Sequence, residues 1–159
     1  ALTVTMYDCR VGECYYGYEV SEFDSTELEQ YTTVASALNV GEVDQVVFKS
    51  DVTYGRLEAG GASFHELQLG DGGAYIIAGA CGTACSDLDM TVLSQGVEGS
   101  SDVLADAEPI VGVRVVAGHS YGIRVDMVEC SSGACLYGYR VLRIAEDATE
   151  AFSEYFDTR

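Results

Sequence analysis

The stretch that decides the fold is His119–Ile144, which reads HSYGIRVDMVECSSGACLYGYRVLRI. Two runs of alternating apolar and polar residues flank a short loop between Cys130 and Cys135. Alternation with a period of two is typical of half-buried strands, and a short loop between two such runs indicates a β-hairpin. The sequence therefore predicts a hairpin over residues 121–143 that is closed by a cysteine pair.

The chain begins with a near copy of this stretch. Residues 2–20, which we call the N-terminal copy, read LTVTMYDCRVGECYYGYEV, and an offset of 121 positions (130 − 9) carries Cys9 onto Cys130. The same offset superposes Val4 on Val125, Met6 on Met127, Cys14 on Cys135, Tyr16-Gly17-Tyr18 on Tyr137-Gly138-Tyr139, and Val20 on Val141. A helix signal follows each copy. The repeated unit is therefore a hairpin followed by a helical segment.

The middle of the chain is a series of short apolar runs separated by glycine-containing turns, with an acidic connection over Gly96–Glu108. Six or seven such runs at about ten-residue intervals are typical of a sandwich. We predict a mainly all-β protein, a jelly-roll-like antiparallel β-sandwich with one short helix near 26–38 and a short C-terminal helix. The predicted parts are a duplicated hairpin (1–22), a helix and linker (23–43), the sandwich (44–145) and a helical tail (146–159).

Composition narrows the class of partner. The 159 residues include 26 acidic and 8 basic side chains, a net charge of −18. Such a surface repels phosphate backbones and anionic lipid, so we expect no nucleic-acid partner. No run of about 18 apolar residues is present, which argues against membrane insertion. A start at Ala1 rather than Met is expected of a processed chain.

The cysteines point to an oxidising compartment. They form three close pairs, Cys9/Cys14, Cys81/Cys85 and Cys130/Cys135. Pairing by proximity gives three local disulfides, which are typical of secreted, extracellular or cell-surface proteins. Zinc is the alternative, but a zinc site needs two pairs, or one pair and two histidines, brought together. His65 and His119 do not form a spaced pair.

Part of the chain resembles a known family. The run 74–93, AYIIAGACGTACSDLDMTVL, contains Cys-x-x-x-Cys-Ser-Asp-Leu-Asp at 81–89, and Gly-x-x-Tyr-x-x-x-Val follows at 118–125. Over residues 44–144 these pieces resemble the bacterial pre-peptidase C-terminal (PPC) domain. The resemblance implies a jelly-roll-like module of exported proteins that serves binding, stability or secretion rather than catalysis, and that binds calcium in some members. The chain departs from the family in having no protease domain and a second hairpin.

Acidic residues give one candidate metal site. Asp87 and Asp89 share one face of a predicted strand, and Asp102 and Asp106 lie on the next connection. Hard oxygen ligands of this kind are those that calcium prefers. The alternative is that these carboxylates accept hydrogen bonds from backbone N–H groups of the adjacent turns. No other cofactor is expected.

Nucleophilic catalysis is not indicated. Ser63 and His65 share a strand face, but no acidic third group accompanies them, and there is no Gly-x-Ser-x-Gly elbow. We therefore predict that the chain is not an enzyme. Tyrosines cluster on the two hairpins, where they either pack the core or form an exposed face for sugars or another copy. The candidate interface residues are Tyr15, Tyr16, Tyr18, Tyr137 and Tyr139.

Two functions are compatible with these observations. The first is a non-catalytic secreted β-sandwich that acts as a binding or accessory module of a tandem-repeat exported protein. The second is a subunit of an extracellular filament or surface layer that assembles head-to-tail through the duplicated hairpin. The predicted partners are other copies, a neighbouring repeat or an extracellular polymer. A further arrangement places both hairpins in one sandwich as a pseudo-symmetric pair.

Overall fold

The computed structural model describes residues 2–10, 13–20, 25–39, 44–70 and 72–156, and side chains from residue 25 onward within these ranges. One α-helix, α1, spans Ser25–Ala37, and a kinked 3₁₀ helix spans Glu146–Phe156. The strands are β1 (Leu2–Arg10), β2 (Glu13–Val20), β3 (Val46–Lys49), β4 (Thr53–Leu57), β5 (Gly61–Leu67), β6 (Gly73–Cys81), β7 (Cys85–Ser94), β8 (Val97–Asp102), β9 (Ile110–Val115), β10 (Tyr121–Cys130) and β11 (Cys135–Ile144). None of the described helices has the length and hydropathy needed to cross a membrane.

Strands β3 to β11 form two antiparallel sheets. Sheet I has the order β5-β10-β7-β8, and sheet II has the order β3-β11-β6-β9, with β4 beside β3 along the same edge of β11. The short break between β3 and β4 is held to β11 by Ser50, whose amide donates to the Val141 carbonyl at 2.9 Å. The predicted jelly-roll-like β-sandwich and its two helices are confirmed. The acidic connection over Gly96–Glu108 was predicted too long, because its first half pairs with β7 as the edge strand β8.

The predicted hairpin over residues 121–143 is wrong. Strand β10 pairs with β5 and β7 in sheet I, whereas β11 pairs with β3, β4 and β6 in sheet II. The chain therefore crosses from one sheet to the other at Ser131–Ala134. We call residues 121–144 the arch. Hairpins and arches share the same alternation and loop length, and burial between two facing sheets favours the arch here.

Two disulfides join the sheets at the same end of the sandwich. Cys130–Cys135 spans the arch, and Cys81–Cys85 links β6 to β7, each with a Cα–Cα distance of 5.9 Å. Cys85 and Cys130 are also register partners in sheet I. We call this end the disulfide end and the other the open end. The predicted third pair, Cys9/Cys14, lies outside the described side chains.

The core lies between the sheets and contains the inward side chains of the arch. Its largest fully buried members include Tyr137, Ile77, Leu88, Met90, Ile123 and Met127. Tyr137 and Tyr139 are only 1% and 5% exposed. These two tyrosines therefore fill the core and present no surface to a partner, which corrects their assignment as interface residues. Tyr15, Tyr16 and Tyr18 lie outside the described side chains, and for them an interface stays a prediction.

The outer face of sheet II is covered by the two helices. Val34 of α1 and Leu38, which directly follows the helix, pack on Ala80 and Leu136 near the disulfide end. The 3₁₀ helix packs on Ile76, Leu142 and Ile144 near the open end. Gly138 permits this approach, because a Cβ at that position would lie 2.8 Å from Val34 Cγ1 and 3.1 Å from Val52 Cγ1. The Tyr-Gly-Tyr sequence thus places two rings in the core and a bare backbone under the helix.

The N-terminal copy pairs only with itself among the described strands. Strands β1 and β2 form a separate two-stranded sheet in which Leu2 opposes Val20 and Cys9 opposes Cys14. The two copies of one sequence pattern therefore adopt different pairings, one as a hairpin and one as an arch.

We expect Gly138→Ala to lower the free energy of unfolding by about 1–3 kcal/mol, because the added methyl group overpacks the contact with Val34. Urea unfolding followed by circular dichroism measures this difference. Gly133→Ala is the matched control, since a Cβ there meets no atom within 4 Å. Equal stability of the two variants would show that α1 does not rest on Gly138 as described.

Candidate functional site

The space that the arch occupies is the first candidate site. We call it the arch slot: the gap between β5 and β7 in sheet I and the gap between β6 and the β3/β4 edge in sheet II. The inward side chains of the arch that fill it include Ile123, Val125, Met127, Tyr137, Tyr139 and Val141. At the equivalent positions the N-terminal copy carries Leu2, Val4, Met6, Tyr16, Tyr18 and Val20. The described sandwich therefore has one arch slot, and the chain has two sequences that match it.

A polar contact fixes the arch inside the slot. His65 Nε2 lies 2.8 Å from the Tyr137 hydroxyl and 3.1 Å from the Ser63 hydroxyl, and the His65 and Tyr139 ring centroids are 5.2 Å apart. Burial lowers the pKa of His65 and so favours its neutral imidazole. The N-terminal copy supplies a tyrosine at the same position as Tyr137. It therefore carries the partner that His65 requires.

The Ser63–His65 pair does not have the geometry of a nucleophile and its base. A catalytic histidine receives the serine on one ring nitrogen and an orienting acid on the other. Here both hydroxyls contact the same nitrogen, Nε2, and one of them belongs to the buried Tyr137. This arrangement locks two strands of opposite sheets together.

The outer face of sheet I is the second candidate site, because no helix covers it in the described part of the chain. Phe64 on β5 is 67% exposed and is the register partner of Arg124 on β10, which in turn faces Thr91 on β7. The Arg124 guanidinium is fixed by Asp126, whose Oδ2 accepts from Nε at 2.7 Å, and by Glu98. An exposed ring thus stands beside an ordered row of polar groups.

Carboxylates crowd one side of this face. Asp89 opposes Asp126 across the β7–β10 pair, and burial together with Asp87, Asp126 and Asp102 raises the pKa of Asp89 to about 6, against a smaller opposing effect of Arg124. Burial, Glu129 and Asp106 also raise the pKa of Asp87. One Asp87 oxygen, Oδ1, is shielded from solvent without a hydrogen-bond partner. The face therefore carries unbalanced negative charge.

The four residues predicted to bind calcium are only partly brought together. Both Asp102 oxygens accept backbone N–H groups, from Leu104 at 3.3 Å and from Ile110 at 3.0 Å. Asp106 Oδ1 accepts from the Glu108 amide at 2.9 Å. These are the hydrogen bonds expected if the carboxylates accept backbone N–H groups of the adjacent turns instead of binding calcium. No group of three or more potential ligands is placed to hold a metal ion within the described ranges, and calcium binding stays a prediction.

Sequence reasoning did not single out the outer face of sheet I. The signal was present in β5, where Phe64 alternates with the inward His65, so that an aromatic side chain falls on the solvent side. The sequence contained less indication that Arg124 belongs to this face. Its neighbours Glu98 and Asp126 come from two strands, one of which was predicted as a connection.

Comparisons with known proteins give structural neighbours only. No protein-family model matches the chain, and no curated protein matches it. Among solved structures, the chain is similar to the carbohydrate-binding module CBM6cm-2 of Cellvibrio mixtus lichenase 5A, in complex with cellotriose (13% identity, TM-score 0.38, 64% of this chain and 94% of that one). It is also similar to the C-terminal CBM6 of LamC, a marine laminarinase from Zobellia galactanivorans (14%, TM-score 0.35, 63% and 94%). Likeness at this level assigns no ligand to the chain, and the PPC resemblance stays a prediction.

We expect Asp89→Asn to raise the free energy of unfolding at pH 7 by on the order of 1 kcal/mol. Because the folded pKa of about 6 exceeds the ordinary value of 3.8, the folded state binds more protons between these values. The wild type should therefore gain stability as the pH falls from 7 to about 4, and the variant should lose this slope.

The measurement is urea unfolding at fixed ionic strength from pH 4 to pH 7. Glu58→Gln is the control, since it removes one charge at an exposed turn. A wild type and an Asp89→Asn variant with parallel pH profiles would contradict the crowding of carboxylates around Asp89.

Proposed function

We propose that the chain is a secreted, non-catalytic β-sandwich unit of a repeating extracellular assembly, in which the N-terminal copy is the arch of the preceding unit. The observation that carries this proposal is the presence of one arch slot and two arch sequences. Only one of them fits the sandwich at a time, so the other is available to a neighbouring sandwich. The two described disulfides support an oxidising compartment.

Differences between the copies fit this proposal as well as their identities do. Outward-facing Leu136 packs on Val34 of α1, and Arg140 Nη1 donates to the carbonyl of Leu38, which follows α1, at 2.9 Å. The N-terminal copy has Tyr15 and Glu19 at these positions. The inward residues match, and Gly138 under α1 recurs as Gly17, whereas the helix-facing side chains at 136 and 140 differ. This is expected when one arch serves the same type of core under a different helix.

The two functions from the sequence are two forms of this assembly. In a tandem-repeat protein the neighbouring sandwich belongs to the same chain. In a filament it belongs to another subunit, and the N-terminal copy acts as a donor segment. Both forms require that residues 2–20 fold as an arch when a slot is open.

A cassette exchange tests that requirement. We expect a chain whose residues 123–141 are replaced by the sequence of residues 2–20, with Leu136 and Arg140 retained for α1, to form a cooperatively unfolding sandwich. The inward side chains of the cassette match those of the slot, so the melting temperature should stay within about 10 °C of the wild type.

The matched control is the same cassette with aspartate at the position of Met6, which places an unpaired charge where Met127 is fully buried and should abolish folding. Circular dichroism and thermal unfolding under non-reducing conditions measure both. Failure of the unaltered cassette to fold would refute the proposed function.

The outer face of sheet I favours a second function, binding of an extracellular polymer. A sugar ring stacks on an exposed aromatic side chain, and its hydroxyl groups bond to neighbouring charged groups such as the Arg124 guanidinium and the Asp126 carboxylate. Phe64, Arg124 and Asp126 provide these groups on adjacent strands.

If this face binds polysaccharide, Phe64→Ala should weaken binding roughly tenfold, because the stacking surface is lost. Affinity electrophoresis against a panel of soluble neutral and acidic polysaccharides measures the change. Phe48→Ala is the control, as Phe48 is 51% exposed but lies on β3 in sheet II. Equal retardation of both variants and the wild type would exclude this face.

A further inference from the structure

We propose that the two ends of the sandwich dock against each other in successive units, so that Arg114 and Arg143 at the open end of one unit receive the acidic loop 103–108 at the disulfide end of the next. This inference rests on the proposed function and names the contact between units. Three independent features of the described residues support it.

The first feature is a cavity at the open end that is lined by two arginines. It encloses about 670 Å³ and is lined by Arg114, Arg143, Val47 and the Gly72-Gly73 turn, with Glu146 as its acidic member. Of the described arginines, Arg56 and Arg124 are held by carboxylates. Arg114 and Arg143 lie over the rings of Phe156 and Tyr75 instead, at 4.6 and 5.9 Å, and form no ion pair with a described residue. In a chain with 26 acidic residues, two exposed arginines that form no ion pair within the described ranges favour an acidic partner.

The second feature is a fixed acidic loop at the other end. Residues 103–108 protrude between β8 and β9, with Val103, Leu104, Asp106 and Glu108 exposed. The loop is held at its base by backbone bonds, from Leu88 to the Asp106 carbonyl at 2.9 Å and from Cys81 to the Ala107 carbonyl at 3.1 Å. It therefore presents two apolar and two acidic side chains in a set geometry.

The two surfaces are complementary in both charge and apolarity. Val47 and Val116 are exposed at the open end, beside Arg114 and Arg143. The loop offers Val103 and Leu104 beside Asp106 and Glu108. Contact between them pairs two arginines with two carboxylates and covers apolar surface on both sides.

The third feature is the direction of the chain. When the N-terminal copy occupies a preceding sandwich, Val20 takes the place of Val141, close to the end of β11 at the open end. Five residues later, Ser25 begins α1, whose Glu27 binds Arg56 and whose Gln30 lies against Gly82 at the disulfide end. Five residues span at most roughly 17 Å. The open end of one unit is therefore adjacent to the disulfide end of the next.

Charge reversal tests the contact in the full chain. We expect the wild type to self-associate in sedimentation velocity at low salt and millimolar concentration, and less so at high salt. The double variant Arg114→Glu/Arg143→Glu should lose association at least roughly tenfold, and so should Asp106→Arg/Glu108→Arg. An equimolar mixture of the two double variants should restore it, because their ends are complementary again. Glu66→Arg, on the outer face of sheet I, should not restore association to the arginine variant.

The outcomes separate this inference from the proposed function. A wild type that stays monomeric, or one whose association is unchanged in both double variants, overturns the contact between the ends. Either result leaves the arch assignment standing, because the cassette exchange decides that assignment in a single chain without any association. If the cassette failed to fold while the charge-dependent association stayed intact, the arch assignment would be refuted and the contact between the ends would stand.

Discussion

The sandwich depends on the passage of one chain segment from sheet I to sheet II under a disulfide. Strands β10 and β11 are the central strands beside β7 and β6, and the Cys130–Cys135 bond closes the four-residue turn between them. The neighbouring Cys81–Cys85 bond closes the second crossing between the sheets, from β6 to β7. With both crossings fixed at one end, the facing sheets share a single core. Removal of the arch would take one of the two inner strands from each sheet.

This constraint explains the repeat. A segment that provides a central strand to each of two sheets cannot be stable alone, since an isolated two-stranded sheet buries little apolar surface. Its inward residues are set by the partner strands, and these are the residues that recur in the N-terminal copy. Where α1 covers β11, the outward side chains Leu136 and Arg140 differ between the copies, whereas Gly138 recurs as Gly17. The positions that recur and the positions that differ between the two copies thus mark the two surfaces that the arch contacts.

The sequence predicted the fold class, the helices and the pairs Cys81/Cys85 and Cys130/Cys135, because these depend on periodicity and spacing. It could not distinguish a hairpin from an arch, because both place alternate residues on one face and both suit a cysteine pair at this spacing. A hint was present in β11, where Leu136, Val141, Leu142 and Ile144 leave no solvent face, as in a strand covered on both sides. Of the candidate sites, the aspartates were found through strand spacing. Phe64 had a local signal in the alternation of β5, whereas Arg124 and the opposed charges of the two ends depend on tertiary neighbours and have no local pattern.

The most direct test of the account is amide hydrogen exchange on the natively isolated, non-reduced protein, compared with the dispersed single chain. In the native material, residues 2–20 should be protected as strongly as residues 123–141, because each copy occupies an arch slot there. In the single chain, whose one slot is filled, residues 2–20 should exchange far faster. Equal protection of both copies in the single chain would place them in one core and contradict the account, as would unprotected residues 2–20 in the native material.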